Sequence, residues 1–365
     1  MLGNALTQNV GETIAATPDR KPGRLGAVRG ERVGRRVAAL LAVATIAATP
    51  TATPSGPVTL CTVRDKRAVE LSGLLVTPTG YVSENDSNDD PSRILVFFLD
   101  KACRVTRTVG YPTAARDPED LAQAPDGAVW IADTGDNLDQ RADKRRKTVG
   151  LWKLVGGKPV LYRLHYPDGP HDAEALLFDN DGTPVIVTKE LFGVAGIYVP
   201  TGALVPGTAD GVGLTRVGDF APASTGTSNP FGLVGANMVT GAAVSADRRH
   251  VALRTYSDAY EWDVSTTVLD ALKGKPRVTP LPDEPQGEGI AYDGDSFVTV
   301  SDRVGPTPLL RWAIGRPAPA VHPTKSTGGR PVAVRGSGRA PVIGAVVASL
   351  AVLALVVLVR RRRRH

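Results

Sequence analysis

Five times along this chain an acidic or small residue opens an apolar strand, a turn follows, and a second β-rich strand ends in polar residues. The copies begin ELSGLLVTPTGYVSEND at Glu70, EDLAQAPDGAVWIADTGDN at Glu119, EALLFDNDGTPVIVTKE at Glu174, TGAAVSADRRHVALRTYSDAYEWD at Thr240 and EGIAYDGDSFVTVSD at Glu288. Spacings of 49, 55, 66 and 48 residues suit blades of four antiparallel strands, which run to roughly 40 to 50 residues. Two further alternating runs follow each pair, such as RILVFFLD and RVTRTVGY in the first copy, which makes four strands per copy. The last copy supplies only EGIAYDG, SFVTVSD and LLRWAI, while VTLCTVRD, residues 58 to 65, has no blade of its own. Pairing that run with LLRWAI would close the ring and cover an open sheet edge. The expected fold is therefore all-β: a β-propeller of five blades and twenty strands, closed by the N-terminal strand. Six blades remain open as a count, because the irregular stretch 222–237, PASTGTSNPFGLVGAN, could hide a degenerate blade. A β-sandwich with turns at similar intervals is the competing architecture. The 39 Gly and 29 Pro show no three-residue period, which excludes collagen and disfavours long helical bundles.

The net charge of +6 belongs to the ends. Residues 1–52 carry seven Lys+Arg against three acids, residues 315–365 carry ten against none, and residues 58–314 carry 26 against 34. An acidic body gives no basic groove for phosphate backbones, so nucleic acid is not an expected partner. Residues 340–359, APVIGAVVASLAVLALVVLV, are twenty uncharged positions, enough for a transmembrane helix. The basic tail 360–365 then holds the C-terminus in the cytoplasm and the body outside. Residues 29–52 fit a signal peptide, with Arg35-Arg36 before the apolar run Val37 to Ala48. A twin-arginine export signal is the other reading of that pair. Residues 1–28 form an extension consistent with a start site assigned too early, 53–57 a leader, 58–314 the propeller, and 315–339 a Pro/Gly-rich stalk. The expected location is a cell membrane, single-pass, with the propeller extracytoplasmic. In that compartment Cys61 and Cys103 are expected to form one disulfide, two buried thiols being the alternative.

In such a ring the start of strand one and the end of strand two emerge on one rim. That gathers Glu70, Glu119, Asp120, Glu174 and Glu288, with Asn85, Asp86, Asp133, Asp136, Asn137, Lys189, Glu190, Arg254, Asp302 and Arg303 above them. Carboxylates converging on one axis repel unless a cation, a proton or paired Lys/Arg compensates, and oxygen ligands suit Ca²⁺. Glu70, Asn85, Glu119, Glu174 and Glu288 are the candidate metal ligands; backbone-bonding mortar between blades is the other role open to each. Asp133 and Asp302 are candidate bases, and Lys189 and Arg254 candidate anion contacts. ADTGDNLDQRADKRRK (132–147) and ENDSNDD (84–90) are oxygen-rich turns, either ion loops or solvated rim. His165, His171 and His250 lack metal-like spacing, no HExxH, GxSxG or CxxC occurs, and Tyr256 is either packing or the floor of a site.

The segments ELSGL, DPEDLAQAPDGAVWIADTGDN, YPDGPHDAEALLFD, VTKE, LRTYSDAYEWD and PQGEGIAYDGDSFVTVSD resemble a group of exported, membrane-anchored bacterial β-propeller proteins over roughly 58–314. More distantly, the EGIA…DG…VSD cadence is similar to phytase-like esterase propellers and to the gluconolactonase and regucalcin superfamily. Those relatives imply a divalent metal in the channel and hydrolysis of phosphate esters or lactones. In the gluconolactonase group a Glu, an Asn and an Asp hold the metal; Glu70 or Glu288, Asn85 or Asn137, and Asp133 or Asp302 could match them. Thr240 in the fourth copy departs from the pattern. The sequence thus supports a membrane-tethered propeller binding a small-molecule or surface-protein ligand on its acidic rim, with a Ca²⁺-dependent hydrolase as the alternative.

Overall fold

Short alternating runs separated by Gly- and Asp-rich turns fold as antiparallel hairpins. The computed structural model, which describes residues 56–88, 90–136, 145–191 and 194–315, is built from them. After β1 (Val58–Val63) come four complete four-stranded meanders. The first is β2 (Leu71–Thr77), β3 (Gly80–Asn85), β4 (Leu95–Asp100) and β5 (Val105–Gly110); the second is β6 (Pro118–Gln123), β7 (Val129–Asp133), β8 (Val149–Val155) and β9 (Lys158–His165). The third is β10 (Ala173–Phe178), β11 (Pro184–Thr188), β12 (Ala195–Pro200) and β13 (Val212–Phe220); the fourth is β14 (Val239–Val244), β15 (His250–Thr255), β16 (Asp258–Asp263) and β17 (Arg277–Pro280). The last, β18 (Gly287–Asp293), β19 (Ser296–Ser301) and β20 (Thr307–Ala313), takes β1 as its fourth strand, with register from Val58↔Arg311 to Val63↔Thr307. A short parallel contact, Val212↔Leu164 and Gly213↔His165, joins the second and third meanders into one eight-stranded sheet.

The first strands make a closed circle, since β2 packs on β6, β6 on β10, β10 on β14, β14 on β18 and β18 on β2. This is a propeller-type, all-β architecture. Apolar faces fill the wedges between neighbouring sheets: Val82 and Val96 meet Leu121, Ile131 and Trp152 between the first two, and Leu177, Val187 and Ile197 meet Val251, Leu253 and Trp262 between the third and fourth. Turns into the second strands use glycines in the left-handed region at Gly127 (φ 81°) and Gly182 (φ 89°), each after an aspartate. Residues 222–237 contain the short helix α1 (Gly232–Gly235) and no strand. Cys61 of β1 is disulfide-bonded to Cys103 in the turn after β4, with Cα atoms 5.7 Å apart.

Among the described residues no helix is long and apolar enough to cross a membrane. The expected extension, signal peptide, most of the leader, the stalk beyond 315, the 340–359 span and the tail lie outside the described residues.

Candidate metal centre

Every inner strand enters the ring through the same irregularity. The opening pairs are Leu71↔Asn85, Pro118↔Asp133, Ala173↔Thr188, Val239↔Thr255 and Gly287↔Ser301, and the register slips immediately after each. A bulge breaks the two-residue alternation and re-aims the side chain it carries. The residues at the slip are Ser72, Glu119, Glu174, Thr240 and Glu288. Counting from the pairs corrects the sequence alignment, which put Glu70 in this row. Glu70 precedes β2, at φ 51°, and shares its place one residue before the opening pair with Asp117, Asp172, Met238 and Gln286. Two rows had been merged into one. Where the slip residue is Ser72 or Thr240, its hydroxyl ties the ring instead, donating to the backbone carbonyls of Glu119 and Gly287 respectively.

Glu119 is the centre of the acidic side. It is 6% exposed, and among the described residues its carboxylate has no hydrogen-bond or ion-pair partner. Oxygens of Asp86, Asp117 and Glu119 lie within 4.8 Å of one another, and so do oxygens of Glu119, Asp172 and Glu174. At an effective dielectric of about 20, two unit charges that close repel by at least roughly 3.5 kcal/mol. Burial first, then Asp86, Glu174, Asp117 and Asp172, hold the Glu119 carboxyl well above the usual range. Burial likewise raises Asp117, Asp172 and Glu174, and Asp117 also hydrogen-bonds Asp86. A Cβ on Gly135 would overlap both Glu119 Oε1 and Asp117 Oδ2, so the cluster needs a glycine there.

Lys189 faces the cluster from the third meander. Its ammonium is bonded to Glu174 Oε1 and stands 5.3 Å from the centre of the Tyr256 ring. Burial alone would lower it, but Glu174, Tyr256, Glu288 and Asp172 keep it a firm cation. Glu174 Oε2 is buried without a hydrogen-bond partner. Tyr256 donates to Glu288 Oε1 at 3.0 Å, and Gln286 donates to the same oxygen at 3.3 Å and also to Asp302.

Other expected site residues are placed differently. Asp133 accepts from Asp117 N–H (3.0 Å), Arg116 N–H (3.2 Å), Arg146 Nη1 (2.7 Å) and Trp152 Nε1 (3.1 Å), so it clamps the loop that presents Asp117. Asn85 does the same for the first meander: its amide donates to Arg67 and Val69 carbonyls and accepts from Leu95 N–H. Arg254 is fully buried and bonds Glu284 (2.6 Å) and the Gly289 carbonyl (3.1 Å), a brace between the last two meanders rather than an anion contact. Asp302 is held by Gln286, and Tyr256 packs on Phe231 with ring centres 4.6 Å apart. Asp120 lies on the axis: Oδ1 accepts from Leu121 N–H, and Oδ2 from Leu176 and Ala242 N–H at 2.8 and 3.2 Å, linking β6, β10 and β14. Glu84, from the oxygen-rich 84–90 run, is buried and accepts from Gly73 N–H. Asn137 and most of the 132–147 loop lie outside the described residues.

Asp117 and Asp172 went unread in the sequence. Their signal was there, as Asp-x-Glu at the openings of two copies, DPE at 117–119 and DAE at 172–174. The donor set of Asp86, Asp117, Glu119, Asp172 and Glu174 is all oxygen, with orphaned buried atoms, which is the chemistry of a hard cation such as Ca²⁺.

No protein-family model matches the chain, and no curated protein does either. Among solved structures, glutaminyl cyclase of Myxococcus xanthus is similar at 12% identity and TM-score 0.40, over 72% of this chain and 99% of that one. The PQQ-bound aldose sugar dehydrogenase of Streptomyces coelicolor is similar at 13% identity and TM-score 0.39, over 73% and 99%. A chain of a nidogen/laminin complex follows at 12% identity and TM-score 0.38, over 64% and 73%.

Proposed function

We propose that the protein is a five-bladed propeller, one blade per meander, that binds Ca²⁺ at the acidic mouth of its ring and through it a small-molecule or surface-protein ligand. The observation that carries this reading is Glu119: a buried carboxylate with no partner among the described residues, at the meeting point of four others. Fixed carboxylates at this separation favour a cation over solvent, because the loops holding them are themselves clamped by Asp133 and by the Asp136 N–H bond to Asp172 (2.8 Å). Tethering to the outer face of a membrane belongs to the same proposal; the apolar run at 340–359 with its arginine tail and the Cys61–Cys103 disulfide support it.

The hydrolytic alternative draws on one feature, the Lys189 ammonium and the Tyr256 hydroxyl beside the carboxylates, which could steady an anion. Asp133, its expected base, is already committed to four donors. Binding is therefore the leading reading. Its test is a thermal melt of the chain in EDTA and then with Ca²⁺, Mg²⁺ or Mn²⁺. Ca²⁺ at about a hundred times its Kd should add about 2.7 kcal/mol of stability. No rise with any ion overturns the reading.

A further inference from the structure

The acidic mouth contains two ligand sets that share one member. The first joins Asp86, just beyond β3, and Asp117, in the loop before β6, to Glu119; the second joins Glu119 to Asp172, in the loop before β10, and Glu174 at the β10 bulge. Building on the metal reading above, we propose that the mouth holds two divalent cations bridged by the carboxylate of Glu119. Ligands on opposite sides of a Ca²⁺ are about 4.6 to 5.2 Å apart, twice a bond of about 2.3 to 2.6 Å. Each set keeps its oxygens within 4.8 Å of one another, so each encloses room for one ion.

Charge points the same way. The five carboxylates and the Lys189 ammonium leave four negative charges, which two divalent cations neutralise and one does not. Glu119 supplies the second kind of evidence, because a bridging carboxylate needs lone pairs that no protein donor uses, and among the described residues none does. Glu174 Oε2 is orphaned as well, which leaves it for the second ion while Oε1 keeps Lys189. Glu288, the remaining slip carboxylate, has its Oε1 bonded to Tyr256 and Gln286 and belongs to neither set.

The two positions differ in strength. Lys189 repels an ion in the Glu119–Asp172–Glu174 set, so the Asp86–Asp117–Glu119 position fills first and the other follows with lower affinity.

The test is a calorimetric titration of the purified chain with CaCl₂ alone, with bound ions counted by native mass spectrometry. The wild type should bind two ions in two steps. Asp86→Asn should lose the tighter step and Glu174→Gln the weaker, each retaining one ion. Glu119→Gln should weaken both, and Lys189→Met should tighten the second step several-fold. A wild-type count of one ion overturns the proposal and leaves the metal reading standing; a count of zero overturns both. Loss of all binding in both Asp86→Asn and Glu174→Gln, with each variant still folded by circular dichroism, also overturns the two-ion arrangement.

Discussion

Glu119 and Asp120 are neighbours in β6, both are buried, and burial pushes both carboxyls above their ordinary range, yet they serve opposite ends. Asp120 stands on the axis and collects three backbone N–H bonds from three different inner strands. Glu119, re-aimed by the bulge, meets other carboxylates and no donor among the described residues. The difference lies in the supply of hydrogen-bond donors rather than in depth. A buried carboxylate surrounded by N–H groups is part of the frame, and one surrounded by its own kind is a place for a cation.

Removing the frame residue should have the largest effect. Asp120→Ala strands the N–H groups of Leu121, Leu176 and Ala242, at about 1 kcal/mol or more each, so stability should drop by about 3 kcal/mol or more. At about 2 to 4 °C per kcal/mol this is a Tm loss of about 6 °C or more, read by calorimetry. The stabilisation by Ca²⁺ should survive. A milder loss together with abolished Ca²⁺ response would reverse the two roles.

Gly135→Ala comes next, because its Cβ would collide with Glu119 and Asp117. Overpacking of this kind costs about 1 to 3 kcal/mol. Ca²⁺ should also bind more weakly as the carboxylates are pushed apart, and a Ca²⁺ titration matching wild type would break the link between this glycine and the site.

The smallest effect on the cation-free fold belongs to Glu119→Gln, which relieves repulsion. Its cation-free stability should stay within about 1 kcal/mol of wild type or rise, while the stabilisation by Ca²⁺ falls sharply because both binding steps weaken. The pH dependence sharpens this contrast. Carboxyls with raised pKa make the native state bind more protons than the open chain, so stability falls as pH rises from about 4 through the raised values. His171, raised by its Glu190 hydrogen bond, contributes with the same sign. Without cations the wild type should melt lower at about pH 7.5 than at about pH 5, and Glu119→Gln should narrow the gap. A gap unchanged by the substitution would remove Glu119 from the titrating cluster.

Much of this was legible in the chain because the repeat is written in its hairpins. Four copy openings fall on inner strands and the first, Glu70, lies one residue before β2, and VTLCTVRD does pair with the last strand. The site was legible only in part. A Glu near the opening of four copies draws the eye, but in the first copy the slip position is Ser72 and the Glu lies two residues before it; matching by residue type therefore groups Glu70 with Glu119 and Glu174, and only the strand pairs show the offset. Donor supply is also invisible in sequence. Asn85, Asp133 and Arg254 have the right chemistry for a site, and only the three-dimensional placement of Val69, Trp152 and Glu284 shows them already engaged. The Asp-x-Glu pairs at 117–119 and 172–174 could have been found by asking which acids recur two residues apart.

The pairing of β1 with β20 joins Val58 to Arg311, and its kinetic consequence is large. Contacts of such sequence separation form late, because loop closure must precede any reward from the contact. The ring therefore stays open, with β18 to β20 one strand short, until nearly the whole body has been synthesised. The disulfide acts on a shorter loop of 42 residues and depends only on β1 and the first meander. Once formed, it keeps β1 beside the first sheet while the other four are made, so the last sheet finds its missing strand already waiting at the seam.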